Sequence, residues 1–322
     1  MDQGLLARAR QIIAVNLALK PEESLLVVAD DITREVGKLF YDAAEAMGHD
    51  VQLIIMPEGK VAGQEPPAVV AVAMAAADVA LCPTSKSITH TQARINAAAQ
   101  GTRVVTMPGV TMDMLREGAS CADYSQVEAR TAAVSAMLTE ASTARILKDG
   151  HEMVLSLAGR PGVASPGVYR TPGASGNFPS GEAYIAPVED GAHGTMVVDG
   201  SMVGIGALTP GCPLTLTVEA GRLMSVEGGD NLGPYAERLQ VLFAKPENGT
   251  IAELGIGTNE QAKLSGIILE DEKLYGTVHL AFGTNASFGG VTHADCHYDG
   301  IILKPTLYLD DTLVIQEGEF VA

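Results

Sequence analysis

Two hydrophobic rhythms divide the chain. Up to about residue 142, apolar runs at Leu25–Ala29, Val51–Met56, Val79–Cys82 and Val104–Met107 are separated by longer stretches of helical spacing. Those stretches are Ile32–Met47, Pro67–Ala77, His90–Gln100 and Gln126–Ala141. The strand-like runs do not alternate with polar positions, which marks a parallel sheet covered on both faces. After about residue 143 the helical spacing fades. Short runs such as Thr195–Val198, Leu214–Val218, Thr306–Leu309 and Leu313–Gln316 take over, separated by turn residues. One helix is expected late in the chain, over Pro234–Phe243, and a connection rich in Gly, Pro and Ser runs from Arg160 to Gly181. The pattern predicts a Rossmann-like α/β domain with a parallel sheet over residues 1–142. It predicts a mostly antiparallel β (α+β) domain over residues 143–322.

Composition narrows the function. The chain has 322 residues, 47% of them hydrophobic and 19% charged, which fits a folded protein with a large core in two domains. The formal net charge of −18 repels phosphate backbones and argues against a nucleic-acid partner. The four cysteines contain no CxxC pair, so free thiols are expected rather than disulfides or a zinc ribbon. The N-terminal stretch reads as an amphipathic helix rather than a signal peptide, and no apolar run approaches membrane length, so no membrane partner and a cytoplasmic location are expected.

The first strand-to-helix turn, Ala29-Asp30-Asp31-Ile32-Thr33, lacks both GxGxxG and GxxxxGK[ST], and its two aspartates would repel a pyrophosphate. The first half is therefore read as a scaffold without a dinucleotide site. His49 and His90 read as surface residues, and Ser85, Ser87 and Thr89 carry only a weak signal for a cleft.

Candidate chemistry concentrates between Tyr275 and Asp299, where three of the seven histidines lie: His279, His293 and His297. Imidazole and carboxylate are natural ligands of a divalent transition metal. On one continuous strand His293, Asp295, His297 and Asp299 would share a face. Neighbours on that face lie roughly 6.6 Å apart, so four would span about 20 Å and could not hold one ion. His297-Tyr298-Asp299 runs into the apolar Ile301–Leu303 and is the better-anchored pair. His293 and Asp295 are assigned to a pocket wall. His279 interrupts an apolar run, where an imidazole needs a partner to offset its burial. Two upstream carboxylates join the set. Glu182 follows the tight turn Asn177–Gly181. Glu253 sits in the apolar, glycine-punctuated Ile251–Gly257, where a buried carboxylate needs a cation, metal or hydrogen-bond partner and no Lys or Arg lies nearby in sequence.

In order, GNFPSGEAYIAP, AELGIGTN, GTVHLAFGTN and HYDG resemble motifs of the leucyl aminopeptidase-like metallopeptidases of the thermophilic aminopeptidase family, which includes aminopeptidases T and S. The resemblance covers most of residues 165–322 and is mainly architectural before that. It implies a homodimer with an N-terminal α/β domain and a two-metal C-terminal domain. Glu182 and Glu253 would then be metal-site and catalytic carboxylates, with His297 and Asp299 as the HxD ligand pair. Thr277 stands where the peptidases have a glutamate and joins His293 and Asp295 as pocket lining, and His279 compensates. This gives the first functional expectation: a metal-dependent hydrolase of aminopeptidase type, holding Zn, Co or Mn and removing N-terminal residues from small peptides. The 2,5-dihydroxypyridine dioxygenases, a second branch similar in fold, hold one Fe(II) with two histidines and an aspartate, for which His279, His297 and Asp299 are the counterparts. A ring-cleaving dioxygenase acting on a small molecule is thus the alternative. A protein that binds metal without catalysis is the third.

Overall fold

The computed structural model describes residues 2–228, 232–233 and 236–321. Two compact units emerge. One comprises residues 1–128 and 167–180, the other residues 129–166 and 181–322.

The first unit is built on a five-stranded, all-parallel sheet. Its order is Asp50–Met56, Ser24–Asp30, Val79–Cys82, Arg103–Thr106, Ser175–Asn177. The three interior strands are buried almost throughout, which is why their sequences read as continuous apolar runs. Helices Arg34–Met47, Ala68–Ala76 and Gln92–Ala99 link successive strands. Val70 and Met74 on one helix and Ala97 on the next pack against Leu26, Val28, Ala80 and Val104 of the sheet. The fifth strand falls inside the Gly/Pro/Ser-rich connection. Three residues, Ser-Gly-Asn, carry no apolar signal, and they become a strand by pairing with Val104–Thr106.

Two antiparallel sheets form the second unit. The eight-stranded sheet runs Arg222–Glu227, Leu214–Glu219, Ala192–Val198, His151–Ser156, Thr143–Lys148, Thr306–Leu309, Thr312–Gln316, Glu319–Phe320. The seven-stranded sheet runs Gly206–Ala207, Ser201–Met202, His297–Ile302, Val278–Gly283, Ile251–Gly257, Glu182–Ile185, Gly162–Ser165. Leu155, Met196 and Leu216 from the first share one core with Ile185, Leu254, Leu280 and Ile302 from the second. The chain is therefore a mixed α/β protein with one parallel and two antiparallel sheets. The helix expected over Pro234–Phe243 is two short helices among the described residues, Ala236–Leu239 and Val241–Ala244; Pro234 and Tyr235 lie outside them. No helix of the described residues is long and apolar enough to cross a membrane.

The seven-stranded sheet positions the chemistry by alternation. Leu254 pairs with Leu280 and both enter the core, so their neighbours Gly255 and His279, also paired, point to the opposite face. A register shift between Ile251 and Glu253 lets Ile251 pair with Phe282 and Glu253 with Ala281. Glu253 is two residues before Gly255, so plain alternation puts it on the same face as His279, and the bulge returns Ile251 to the core face. In the next strand Ile301 pairs with His279, Asp299 with Ala281 and His297 with Gly283, which adds both ligand-type side chains to that face.

Candidate metal centre

Glu182, Glu253, His279, His297 and Asp299 converge on the face turned away from the core. His297 Nε2 lies 3.3 Å from Glu253 Oε2 and 3.3 Å from Asp299 Oδ1. His279 Nε2 lies 3.3 Å from Glu253 Oε1 and 3.6 Å from Glu182 Oε2. The cluster resolves into three compact ligand groups: Glu182, Glu253 and His279; Glu253, His297 and Asp299; Glu272, His279 and Asp299. No such group among the described residues contains both histidines. Glu253 reaches one imidazole with each oxygen, and Asp299 belongs to one group with each. The expected set of two histidines and an aspartate is therefore not a single compact cage.

Local sequence explains how so many polar groups fit. His279 is fully buried and its ring lies over Gly255; a Cβ there would sit 2.0 Å from Nε2. Only glycine leaves that space. The His297 ring is held by Nδ1–H donating to the Thr284 carbonyl at 2.9 Å, which leaves Nε2 facing Glu253 and Asp299. That is how metal-binding imidazoles are commonly oriented. His297 keeps 24% of its side chain exposed, whereas His279 keeps none. Phe288 sets its edge against the His297 ring at 6.0 Å between centroids, and Tyr184 meets Phe288 at 5.3 Å.

Electrostatics agree with a cation site. Burial works against charge on His279, but bonding to Glu253 and the carboxylates of Glu182, Glu253 and Glu272 outweigh it and raise its pKa to about 9. The same contest raises His297 well above its ordinary value, with Asp299 the main opposing influence. Glu253 is held well below the usual carboxylate range; burial opposes this, and the two imidazoles prevail. In the metal-free chain, protons on the imidazoles supply the positive charge this cluster demands.

Do these residues fit a metal ion? Glu182 Oε2, His279 Nδ1 and Asp299 Oδ1 are buried side-chain atoms without a hydrogen-bond partner. Such atoms are costly unless something else satisfies them. Ligands about 2.1 Å from an ion stand roughly 3.0–3.4 Å apart in octahedral or tetrahedral geometry. The 3.3 Å separations from His297 Nε2 to Glu253 and Asp299 meet that spacing. The donor set and its orphaned atoms fit a divalent metal.

The three residues read as pocket lining, His293, Asp295 and Thr277, stand outside the ligand groups of the described residues. His293 and Asp295 belong to no ligand group of the described residues. The strand begins at His297, so the two-residue alternation does not extend back to them. Both are exposed on the loop before that strand, and Asp295 pairs with Lys245 at 2.5 Å. Thr277 is buried with its hydroxyl donating to the Leu274 carbonyl at 2.7 Å, where it closes a turn. Two members of the cluster were missed, Glu272 and Lys273. Lys273 Nζ lies 2.6 Å from Glu182 Oε1 and also binds Glu272. It supplies the cation for Glu182 from 91 residues along the chain. The available signal was Glu270-Asp271-Glu272-Lys273, a charged run shortly before the apolar strand Val278–Gly283. Three of its four residues are almost fully buried.

A carboxylate–imidazole cluster open on the His297 side, on one face of an antiparallel sheet, defines a mixed α/β protein with a candidate centre for a divalent metal. Family comparison is more specific. The chain belongs to the NicX family, 2,5-dihydroxypyridine 5,6-dioxygenase, whose sequence model matches residues 10–322. It is 28% identical over 205 residues to 2,5-dihydroxypyridine 5,6-dioxygenase of Pseudomonas putida, a match spanning 60% of this chain and 58% of that protein. The solved structure of 2,5-dihydroxypyridine dioxygenase from Pseudomonas putida superposes with a TM-score of 0.83 at 20% identity, covering 99% of this chain and 97% of that one. Wild-type AmpT from Thermus thermophilus superposes with a TM-score of 0.70 at 16% identity, with 99% of each chain covered. At these identities the two structures speak for the fold.

The family match overturns the assignment to the aminopeptidases, and with it the reading as a peptide hydrolase. The physical source of that misreading is visible. The motifs that suggested a peptidase, around Glu182, Glu253, His279 and His297, are central strands of the seven-stranded sheet, in a fold that AmpT also resembles. They report the scaffold more than the reaction.

Proposed function

We propose that this protein is a ring-cleaving dioxygenase that opens a small hydroxylated pyridine using one Fe(II) ion. The observation that carries the reading is the family match across residues 10–322, supported by a cluster whose donors and spacing suit a divalent metal. Glu253, His297 and Asp299 would hold the ion, because this group contains the imidazole that keeps some contact with solvent. When bound, ferrous iron supplies the one-electron chemistry that lets dioxygen react with an aromatic ring.

The remaining residues prepare that site. The Thr284 carbonyl fixes the His297 ring and its tautomer. Phe288 and Tyr184 set aromatic surface beside His297, suited to a planar substrate. His279 holds a proton at Nε2 between Glu253 and Glu182 and so fixes Glu253, whose other oxygen faces His297.

The test is anaerobic reconstitution with Fe(II), followed by oxygen uptake and ring absorbance with 2,5-dihydroxypyridine. Uptake matched by loss of ring absorbance is expected. Protein that carries iron yet consumes no oxygen with this substrate would end the proposal.

A further inference from the structure

Lys273 is fully buried, and the way it partitions the cluster carries an inference about how many ions the site takes. Two of the three ligand groups contain His279. Each of these contributes one carboxylate to the Lys273 ammonium, Glu182 from the first and Glu272 from the other. The third group, Glu253, His297 and Asp299, contributes none. A cation thus already stands on the inner, closed side of the cluster, while the side reached through His297 has two carboxylates and no ammonium. Charge points the same way. A buried carboxylate needs a counter-charge, and an ammonium covering two carboxylates removes most of the field that would draw in a second dication.

We propose that the Lys273 ammonium occupies the inner cation position, so that this chain binds one divalent ion beside His297 and takes a second only when the ammonium is removed. The proposal rests on reading the cluster as a metal centre, and it makes Lys273 a positioning residue that sets the metal count. Without the ammonium, Glu182 and Glu272 lose their counter-charge next to the His279 imidazole. Two carboxylates and an imidazole are the donor types a divalent ion takes.

The experiment counts metal in the full chain after saturation with Mn2+ or Zn2+ and gel filtration. Wild type should retain about one ion per chain, Lys273→Met about two, and Lys273→Arg, which keeps the positive charge, about one. A wild-type count of two, a Lys273→Met count of one or a Lys273→Arg count of two overturns the proposal and leaves the metal reading standing. A wild-type count of zero removes the metal reading as well, so the two failures are distinct. Should Lys273→Met not fold in buffer, excess Mn2+ should restore it, since a dication replaces the lost charge. A variant that stays unfolded in excess Mn2+ also overturns the proposal.

Discussion

Two buried aspartates, one in each unit, show what separates a structural carboxylate from a site. Asp30 ends the interior strand Ser24–Asp30, and donors surround it. One oxygen accepts from the Ile32 and Thr33 amides and the Thr33 hydroxyl at 2.9–3.1 Å, and the other from the Ser85 amide and hydroxyl at 2.6 Å. Burial works to raise its pKa, but these bonds prevail and lower it. Asp299 is about as deeply buried, yet its Oδ1 accepts no backbone or hydroxyl hydrogen bond and faces His297 Nε2 at 3.3 Å. A satisfied carboxylate has spent its lone pairs on the fold, whereas an orphaned one beside an imidazole is free to take an ion. The difference lies in the partners, since burial is nearly equal.

Exchanging each aspartate for asparagine breaks this comparison with the largest expected effect. Asp299→Asn should lower metal retention and oxygen uptake by about 100-fold, and in the metal-free chain it should lower the raised pKa of His297. Asp30→Asn turns an amide donor toward groups that are themselves donors. It should destabilise the fold by about 2–3 kcal/mol and leave the metal count unchanged. Metal analysis and denaturant unfolding of both variants decide the matter, and a swapped pattern would sink the distinction.

Next in size is Gly255→Ala. The added Cβ would meet His279 Nε2 at 2.0 Å, and the fully buried ring has nowhere to retreat. Overpacking of this kind costs about 1–3 kcal/mol, and here it also displaces His279 from Glu253. Lower stability together with weaker metal binding is expected in calorimetry. A variant with unchanged metal affinity would show that the ring position does not matter to the site.

How much of this was legible in the sequence follows from the range of each signal. The strands of the parallel sheet were legible because burial on both faces writes itself into consecutive apolar residues, as in Leu25–Val28. Ser175–Asn177 was not, because its pairing comes from a partner strand far away in sequence. Glu253, His279, His297 and Asp299 stood out as polar groups in apolar strands, and the structure brings them together. Their sorting into groups depends on which strands pair and in what register, and on the strand starting at His297, which alternation within one strand cannot reveal. Lys273 was hidden because its partner Glu182 lies 91 residues away.

A gentler probe is pH. The folded-state pKa of His279, about 9, stands above the ordinary imidazole value of 6.5. The folded metal-free chain therefore holds this proton more tightly than the unfolded chain does. The resulting stabilisation is fully present below about pH 6.5 and is lost as pH rises through about 9. Metal binding needs the His297 imidazole neutral, and its pKa is likewise raised, so affinity for the ion should rise with pH. Denaturant midpoints of the metal-free chain measured from pH 6 to 9.5 should fall, and those of the metal-loaded chain should fall less. A metal-free chain that grows more stable over that range would contradict the assignment of charge to His279.

The smallest expected effect concerns the loop carrying Phe288. Glu189 holds it from below: Oε1 accepts from the Asn285 side-chain amide at 3.1 Å and the Val291 amide at 2.8 Å, while Oε2 pairs with Arg160. Arg160 in turn donates to the Gly289 carbonyl. Burial acts to raise the Glu189 pKa, but the Val291 amide and the other partners keep it ionised and low. None of these groups belongs to a ligand set. Glu189→Gln keeps the size of the side chain but weakens the charge-assisted bonds, so it should loosen the loop at a cost of about 1 kcal/mol. The metal count should stay the same. If Phe288 forms a wall of the substrate site, KM for the hydroxylated pyridine should rise about 3- to 10-fold with little change in kcat, the signature of weaker binding shared by ground and transition states. An equal loss in kcat at constant KM would instead place the loop in the chemical step. That would move Phe288 from the substrate's wall to the orientation of His297, whose ring it touches by an edge.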